Sequence, residues 1–270
     1  MSASYPLVRN LNAFSTRFGV SARPSRAGSS PRAASRLLIS SCIVLFYLPA
    51  AAAPPPDALY ADRAHLSSAR QAAAAWAAEL AAQPADFDAA WKLARADYWL
   101  GGHAPESERR HFLENGIAAG RTAAAIDAQR PEGHFWIAAN MGALAESFGM
   151  RQGLKYRGDI KDELETVLRL DSAYQQGSAD RALGRWYFKV PGLFGGSDKK
   201  SEEHLRKSLT YNPNSTASLY FLAETLLEEK KKAEAKQILE HCLAAPIAPG
   251  WGAEDRDFKR KAEKLIQTLK

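Results

Sequence analysis

The sequence predicts an all-α fold: a tetratricopeptide-like, right-handed α-solenoid of about four to five helical hairpins, ending in a C-terminal capping helix. Three observations carry this expectation. Beyond residue 53 no stretch alternates apolar and polar residues as a half-buried strand does, whereas apolar residues recur at helical spacing. A longer repeat is superimposed on that spacing, with small residues at matching places in successive copies. The chain then closes on a charged amphipathic segment, Ala253 to Lys270, of the kind an open-ended solenoid needs as a polar cap.

The repeat has a physical logic. Small residues let the two helices of a hairpin approach closely, large ones fill the gap to the next hairpin, and a proline stops the second helix. One helix, roughly Asp57 to Ala82, supplies Ala72 and Trp76 ahead of Pro84. Trp91 to Tyr98 is matched with Ala119, Ala123, Ile126 and Pro131. Trp136, Ala139, Asn140 and Ala143 are matched with Ile160, Leu164, Val167 and Ser172. Leu183, Gly184 and Tyr187 are matched with Ser201, Leu205, Ser208 and Pro213. The clearest copy has Leu219, Leu222, Ala223 and Leu226 on one helix, then Ala235, Leu239 and Cys242 on the next, before Pro246.

Matching small residues expose insertions. Asn140 to Gly184 spans 44 residues and Gly184 to Ala223 spans 39, against a usual period of about 34. The excess falls between the helices of each hairpin, around Phe148 to Tyr156 and at Val190 to Gly196. Insertions in a solenoid map to one face, often the binding face.

Residues 1–53 form a separate leader, and residues 54–270 the repeat domain. The leader has no Asp or Glu and carries six of the 36 Lys and Arg; all 30 Asp and Glu lie beyond it. The formal net charge of +6 therefore belongs to the leader, and the body is formally neutral. That removes the argument for electrostatic capture of nucleic acid. Arg32 and Arg36, the apolar run Leu37 to Leu48 and the small residues Ala50 to Ala53 read as a secretory signal, shorter than the roughly 20 residues of a membrane span. Export to the periplasm is the expectation. An organelle transit peptide, with a mitochondrial location, shares the Arg- and Ser-rich, acid-free composition, and Ile39 to Cys42 resembles a misplaced lipobox that would anchor the chain to a membrane. Membrane contact is otherwise expected only through an uncleaved leader. Cleavage near Ala53 leaves Cys242 as the one cysteine, too few for a disulfide or a structural zinc site.

Two segments resemble a known family. Gly133 to Gly142 (Gly-His-Phe-Trp-Ile-Ala-Ala-Asn-Met-Gly) and Ala182 to Tyr187 with the loop Pro191 to Gly196 are similar to signatures of the T-component proteins of TRAP-type transporters. They also resemble the regulator of microtubule dynamics proteins. The T-component resemblance implies a periplasmic, non-enzymatic helical-repeat protein that associates with an extracytoplasmic solute-binding protein and has an internal cleft for hydrophobic ligands.

No catalytic constellation competes with that expectation. The six histidines lack metal-ligand spacing, and no nucleophile elbow, phosphate loop or dinucleotide fingerprint occurs, so neither metal nor cofactor is expected. The candidate residues line a groove instead. First helices of such repeats face the concave side, and the consensus register turns Arg181, Arg185, Phe188 and Lys189 toward it. The same count brings His134, Ile137, Met141 and Leu144 from the preceding repeat and Tyr220, Glu224 and Leu227 from the following one. This surface, apolar in the middle and cationic at one end, suits an amphipathic ligand with an acidic head or a partner helix. Leu193 and Phe194, at a glycine-flanked loop tip, are candidates for partner contact. The rival reading is an envelope adaptor that binds proteins and has no ligand of its own.

Overall fold

The computed structural model describes residues 54–269, so the expected leader lies outside the described residues. Among these, all regular structure is helical: α1 (Pro56–Ala61), α2 (Leu66–Ala82), α3 (Phe87–His103), α4 (Glu106–Ile126), α5 (Pro131–Phe148), α6 (Met150–Leu170), α7 (Ser178–Lys189), α8 (Asp198–Tyr211), α9 (Thr216–Glu228), α10 (Lys232–Ala244) and α11 (Gly252–Gln267). A 3₁₀ turn, Gly192–Phe194, sits between α7 and α8.

Four hairpins, α3–α4, α5–α6, α7–α8 and α9–α10, follow one another behind the short pair α1–α2. The first helices also touch in series, α3 to α5, α5 to α7 and α7 to α9, and so build one continuous wall. Helix starts follow from local chemistry. Asp86 and Ser197 cap α3 and α8 by accepting from the backbone N–H groups of Ala89 (2.9 Å) and Lys200 (3.3 Å). Pro56 and Pro131 open α1 and α5, where a missing N–H costs nothing.

The single helix expected from Asp57 to Ala82 is two. Asp62 interrupts it: its carboxylate takes His65 Nδ1 and the Ser68 hydroxyl, each at 2.7 Å, and holds a turn at the head of α2. The first insertion is also not a loop. Residues around Phe148 to Tyr156 extend α5 and α6 by extra turns, and the reversal is confined to Gly149 at φ +84°. The second insertion is a true loop.

The repeat's apolar positions fill the core. Leu113, Trp136, Ile137, Leu144, Leu164 and Leu183 belong to one buried cluster spanning α3 to α7, and Leu219, Leu239 and Cys242 anchor another at the C-terminal hairpin. Each buried Leu contributes roughly 1.5–3 kcal/mol. Close approach requires the small residues: a Cβ on Gly133 would lie 2.7 Å from the backbone nitrogen of Ala124, on the neighbouring helix. Asn140 ties three helices. From α5 its Nδ2 donates to Ala94 O of α3 (3.0 Å) and Trp136 O of its own helix (2.8 Å), while its side chain fills the space left by Gly116 of α4. Cys242 is buried, its Sγ 3.4 Å from Thr216 O, and burial pushes its thiol up to about 11.

Helix α11 does more than cover the last hairpin. Phe258 packs edge-on against Phe221 of α9, and Asp255 accepts from Thr216 Oγ1 (2.7 Å) and the backbone N–H of Ala248 (2.8 Å). The same helix reaches the N-terminal part of the described residues. The Glu254 carboxylate forms a two-point ion pair with Arg63, whose Nη2 also donates to Gly250 O (2.7 Å). The Asp257 carboxylate lies 2.8 Å from His103 Nε2. The wall of first helices is thereby braced from its first hairpin to its last.

Candidate functional site: the concave interior

Tyr98, on α3, marks the side of the wall that faces the brace. Tyr98 keeps 39% of its surface open, yet protein crowds its hydroxyl enough for burial to raise its pKa. The charges acting on that hydroxyl come from three elements: Glu146 (α5), Arg181 and Arg185 (α7) and Glu254 (α11). The ring itself leans on Trp136 at 5.5 Å.

Arg181 is the distinctive group here. Burial lowers its pKa, opposed only by the charges of Tyr98 and Glu254, and among the described residues its guanidinium has neither an ion pair nor a hydrogen-bond partner. Arg185, one turn on, differs. Burial works against its charge too, but its Nε lies 3.0 Å from Glu146 and its Nη1 2.7 Å from Glu224, and these carboxylates raise its pKa. Its guanidinium also lies over the rings of Phe221 (4.6 Å) and Phe188 (5.7 Å). Arg95, on α3, stands over Tyr60 at 4.0 Å and Trp91 at 4.8 Å, with its Nε buried and unpartnered. The interior thus presents cations on aromatic faces, with one guanidinium uncompensated.

The candidates from sequence fall into four groups. Arg181, Arg185, Phe188, Tyr220 and Glu224 share this wall; Tyr220 approaches Phe258 of α11 at 5.8 Å, so the brace partly covers it. Lys189 is exposed and lies over Phe188 at 5.3 Å. His134, Ile137 and Met141 sit elsewhere. Ile137, Met141 and Leu144 are core residues, and His134 Nδ1 meets Glu163 of α6 at 2.5 Å within its hairpin. Sequence reasoning missed Tyr98, Arg95, Glu146 and Glu254. The repeat pattern assigns Tyr98 to packing, and only its place on a first helix could have pointed to the interior. Leu193 and Phe194 lie apart from this wall, on the α7–α8 loop.

A recess of about 540 Å³ lies between α2, α3 and α4; Ala73, Ala77, Leu93, Phe112 and Ala119 line it together with Asp97. Among the described residues, no three His, Cys, Asp or Glu side chains converge as a metal site, and no helix is long and apolar enough to cross a membrane.

The family model for Regulator of microtubule dynamics protein 1-3 matches residues 57–194, more than half of the chain, from α1 through the 3₁₀ turn. The chain belongs to this family. Its match includes Tyr98, Arg181, Arg185 and the loop residues Leu193 and Phe194, and ends before α9 and α11. No curated protein matches the sequence. A solved tetratricopeptide-repeat protein of Thermus thermophilus is similar in fold, at 20% identity and a TM-score of 0.58 over 78% of this chain and 97% of that one. PilF of Pseudomonas aeruginosa aligns at 19% identity and a TM-score of 0.48, over 79% and 91% of the two chains. MamA does so at 15% and 0.45, over 74% and 96%. The Thermus likeness establishes the helical-repeat fold and nothing about partners.

Proposed function

We propose that this chain is a non-enzymatic binding module whose concave interior takes an amphipathic molecule or segment by its acidic end. The observation behind this reading is Arg181, a crowded guanidinium with no carboxylate partner, on the same wall as Tyr98, Phe188 and Tyr220. An incoming carboxylate or phosphate relieves the desolvation of that cation, and Tyr98, Phe188 and Tyr220 supply apolar contact. The finer reading is an accessory of TRAP-type solute uptake in the periplasm, reached through residues 1–53 and bound to an extracytoplasmic solute-binding protein.

Native mass spectrometry of the purified protein, followed by titration of the bound species onto Arg181→Ala and onto the pair Arg185→Ala with Phe188→Ala, tests the site. Loss of binding with an unchanged melting curve supports it; unchanged binding in both variants overturns it. Affinity purification from the cell envelope tests the finer reading, which requires a solute-binding protein among the recovered partners. The family match favours a second reading, an organelle-targeted module of the microtubule-regulator family. The N-terminus and compartment of the mature protein separate the two.

A further inference from the structure

The loop between α7 and α8 is not used by the concave site, and its construction is unusual for a connector. Its backbone is tied at four points: Phe194 N–H to Pro191 O (2.8 Å), Gly195 N–H to Gly192 O (3.1 Å), Gly196 N–H to Pro191 O (3.3 Å) and Ser197 N–H to Tyr187 O (2.9 Å). Gly195 has φ +103°, and a Cβ on Gly196 would lie 1.6 Å from Val190 O, so the path admits only glycine at both. This fixed loop holds Leu193 outward with 90% of its surface exposed. A rigid backbone that displays an apolar side chain to solvent is poorly explained by folding alone.

Behind the tip is a cavity of about 350 Å³ between α6, the end of α7, the loop and the start of α8. Arg157, Lys161 and Lys200 line it together with Trp186, Tyr187 and Phe194, and no carboxylate lines it. The aromatic faces hold two of the cations in place: Arg157 lies 5.6 Å from the Phe194 ring centre and Lys200 5.3 Å from that of Tyr187. Trp186 is fixed as the floor by its indole N–H, which donates to Arg157 O at 2.9 Å. Lys161 is paired with Glu165 at 3.2 Å, whereas Arg157 and Lys200 have no ion-pair partner among the described residues. Asp198 and Glu202, each two positions from Lys200, do not line the cavity, and Glu202 is paired with Arg206 and Lys231.

We infer that this cavity and Leu193 together form a docking site for an acidic peptide segment of a partner protein, whose carboxylates enter between Arg157 and Lys200 and whose neighbouring apolar side chain rests on Leu193. Charge complementarity selects the acidic residues, and the cavity has room for side chains rather than for a whole helix. The fixed loop lowers the ordering cost of binding. The site is independent of the concave interior, so either can fail alone.

A display library of randomised peptides, selected on the folded chain, provides the test. Enriched peptides should carry Asp or Glu beside Leu, Ile or Phe. Their affinity should fall about tenfold or more in Leu193→Asp and in the double variant Arg157→Glu with Lys200→Glu, and remain unchanged in Arg181→Ala. Leu193 and Lys200 are exposed and Arg157 lines an open cavity, and matching melting curves verify that the variants fold. Absence of enrichment, enrichment of peptides without acidic residues, or undiminished binding to both loop-site variants overturns the inference. So does co-sedimentation with phosphatidylserine vesicles, lost in the same variants, in a protein that selects no peptide; that result would make the tip a membrane contact instead.

Discussion

Two aspartates on first helices are withdrawn from solvent, and their surroundings differ in a way that separates the two ends of the wall. Asp97, on α3, is 3% exposed, and burial pushes its carboxyl up to about 8. It lines the recess between α2 and α4 with alanines and leucines and with Arg70, Asn115 and Thr122, yet no ion-pair or hydrogen-bond partner reaches it among the described residues. Asp180, on α7, is completely buried but meets His204 Nδ1 at 2.8 Å and the Lys207 ammonium at 3.3 Å, both from α8. It also lies in the first turn of its helix, where the N–H dipoles favour a negative charge. The contrast is regional. The hairpins α3–α4 and α5–α6 are joined by aliphatic and aromatic contacts, with Asn140 as their polar tie. The hairpins α7–α8 and α9–α10 add hydroxyl pairs, Ser201 with Thr225 (2.8 Å) and Ser208 with Ser218 (2.9 Å). The same repeat geometry is thus held by packing at one end and by paired polar groups at the other.

The largest expected effect comes from the apolar end. Leu113 on α4 is fully buried against Gly101 of α3, and Leu113→Ala should cost about 3–4 kcal/mol in urea unfolding. A cost below about 1 kcal/mol would mean the hairpin relaxes around the void and its packing is not what holds it.

Asp97→Asn should act in the opposite direction. The folded pKa lies above the unfolded one, so this group's contribution is fully present below about pH 4 and is lost as pH rises through about 8. Wild type and variant should unfold alike at low pH. The variant should gain over wild type as pH rises, on the order of 3 kcal/mol above the folded pKa. Parallel stability curves for the two proteins across that range would show that Asp97 is solvated or paired in solution.

These differences explain what was legible in the sequence. Positions that repeat could be read: Leu183, Leu205, Leu219, Leu222, Leu239 and Cys242 are all buried where the period placed them. The fate of an insertion could not. Residues around Phe148 to Tyr156 contain good helix formers, and whether they loop or prolong two helices depends on what those longer helices pack against. Contacts that close the wall were invisible for a different reason. Arg63 and Glu254 are 191 positions apart, and His103 and Asp257 are 154 apart, so the polar surface of α11 looked like an ordinary solvated cap. Within the candidate site, Arg181, Arg185 and Glu224 followed from register, because consecutive first helices present equivalent positions. Tyr98 and Arg95 did not, since an aromatic in a repeat is usually core and only the charged groups of three other helices around its hydroxyl distinguish this one.

At the polar end, Asp180→Ala should destabilise by about 2 kcal/mol. It removes a hydrogen-bonded ion pair but leaves His204 and Lys207 partly open to water, which limits the penalty below that of a fully buried pair. Combining it with His204→Ala gives a double-mutant cycle, and a coupling near zero would show that Asp180 acts through its helix end alone.

The smallest effect distinguishes the two ends most directly. Ser208 and Ser218 are both completely buried; the Ser208 Oγ lies 2.8 Å from Leu205 O and 2.9 Å from Ser218 Oγ, and Ser218 Oγ lies 3.0 Å from Ser215 Oγ. Ser208→Ala replaces a hydroxyl with a methyl-sized group and creates little void, so any loss measures the hydrogen bond. About 1 kcal/mol is expected, because Ser218 keeps its other partner. The double substitution with Ser218→Ala should cost less than twice as much, since no unpaired hydroxyl remains across the helix contact. Additive costs in calorimetric or urea unfolding would mean the two hydroxyls do not depend on each other. The distinction between the two ends of the wall would then rest on Asp180 and on the Ser201–Thr225 pair.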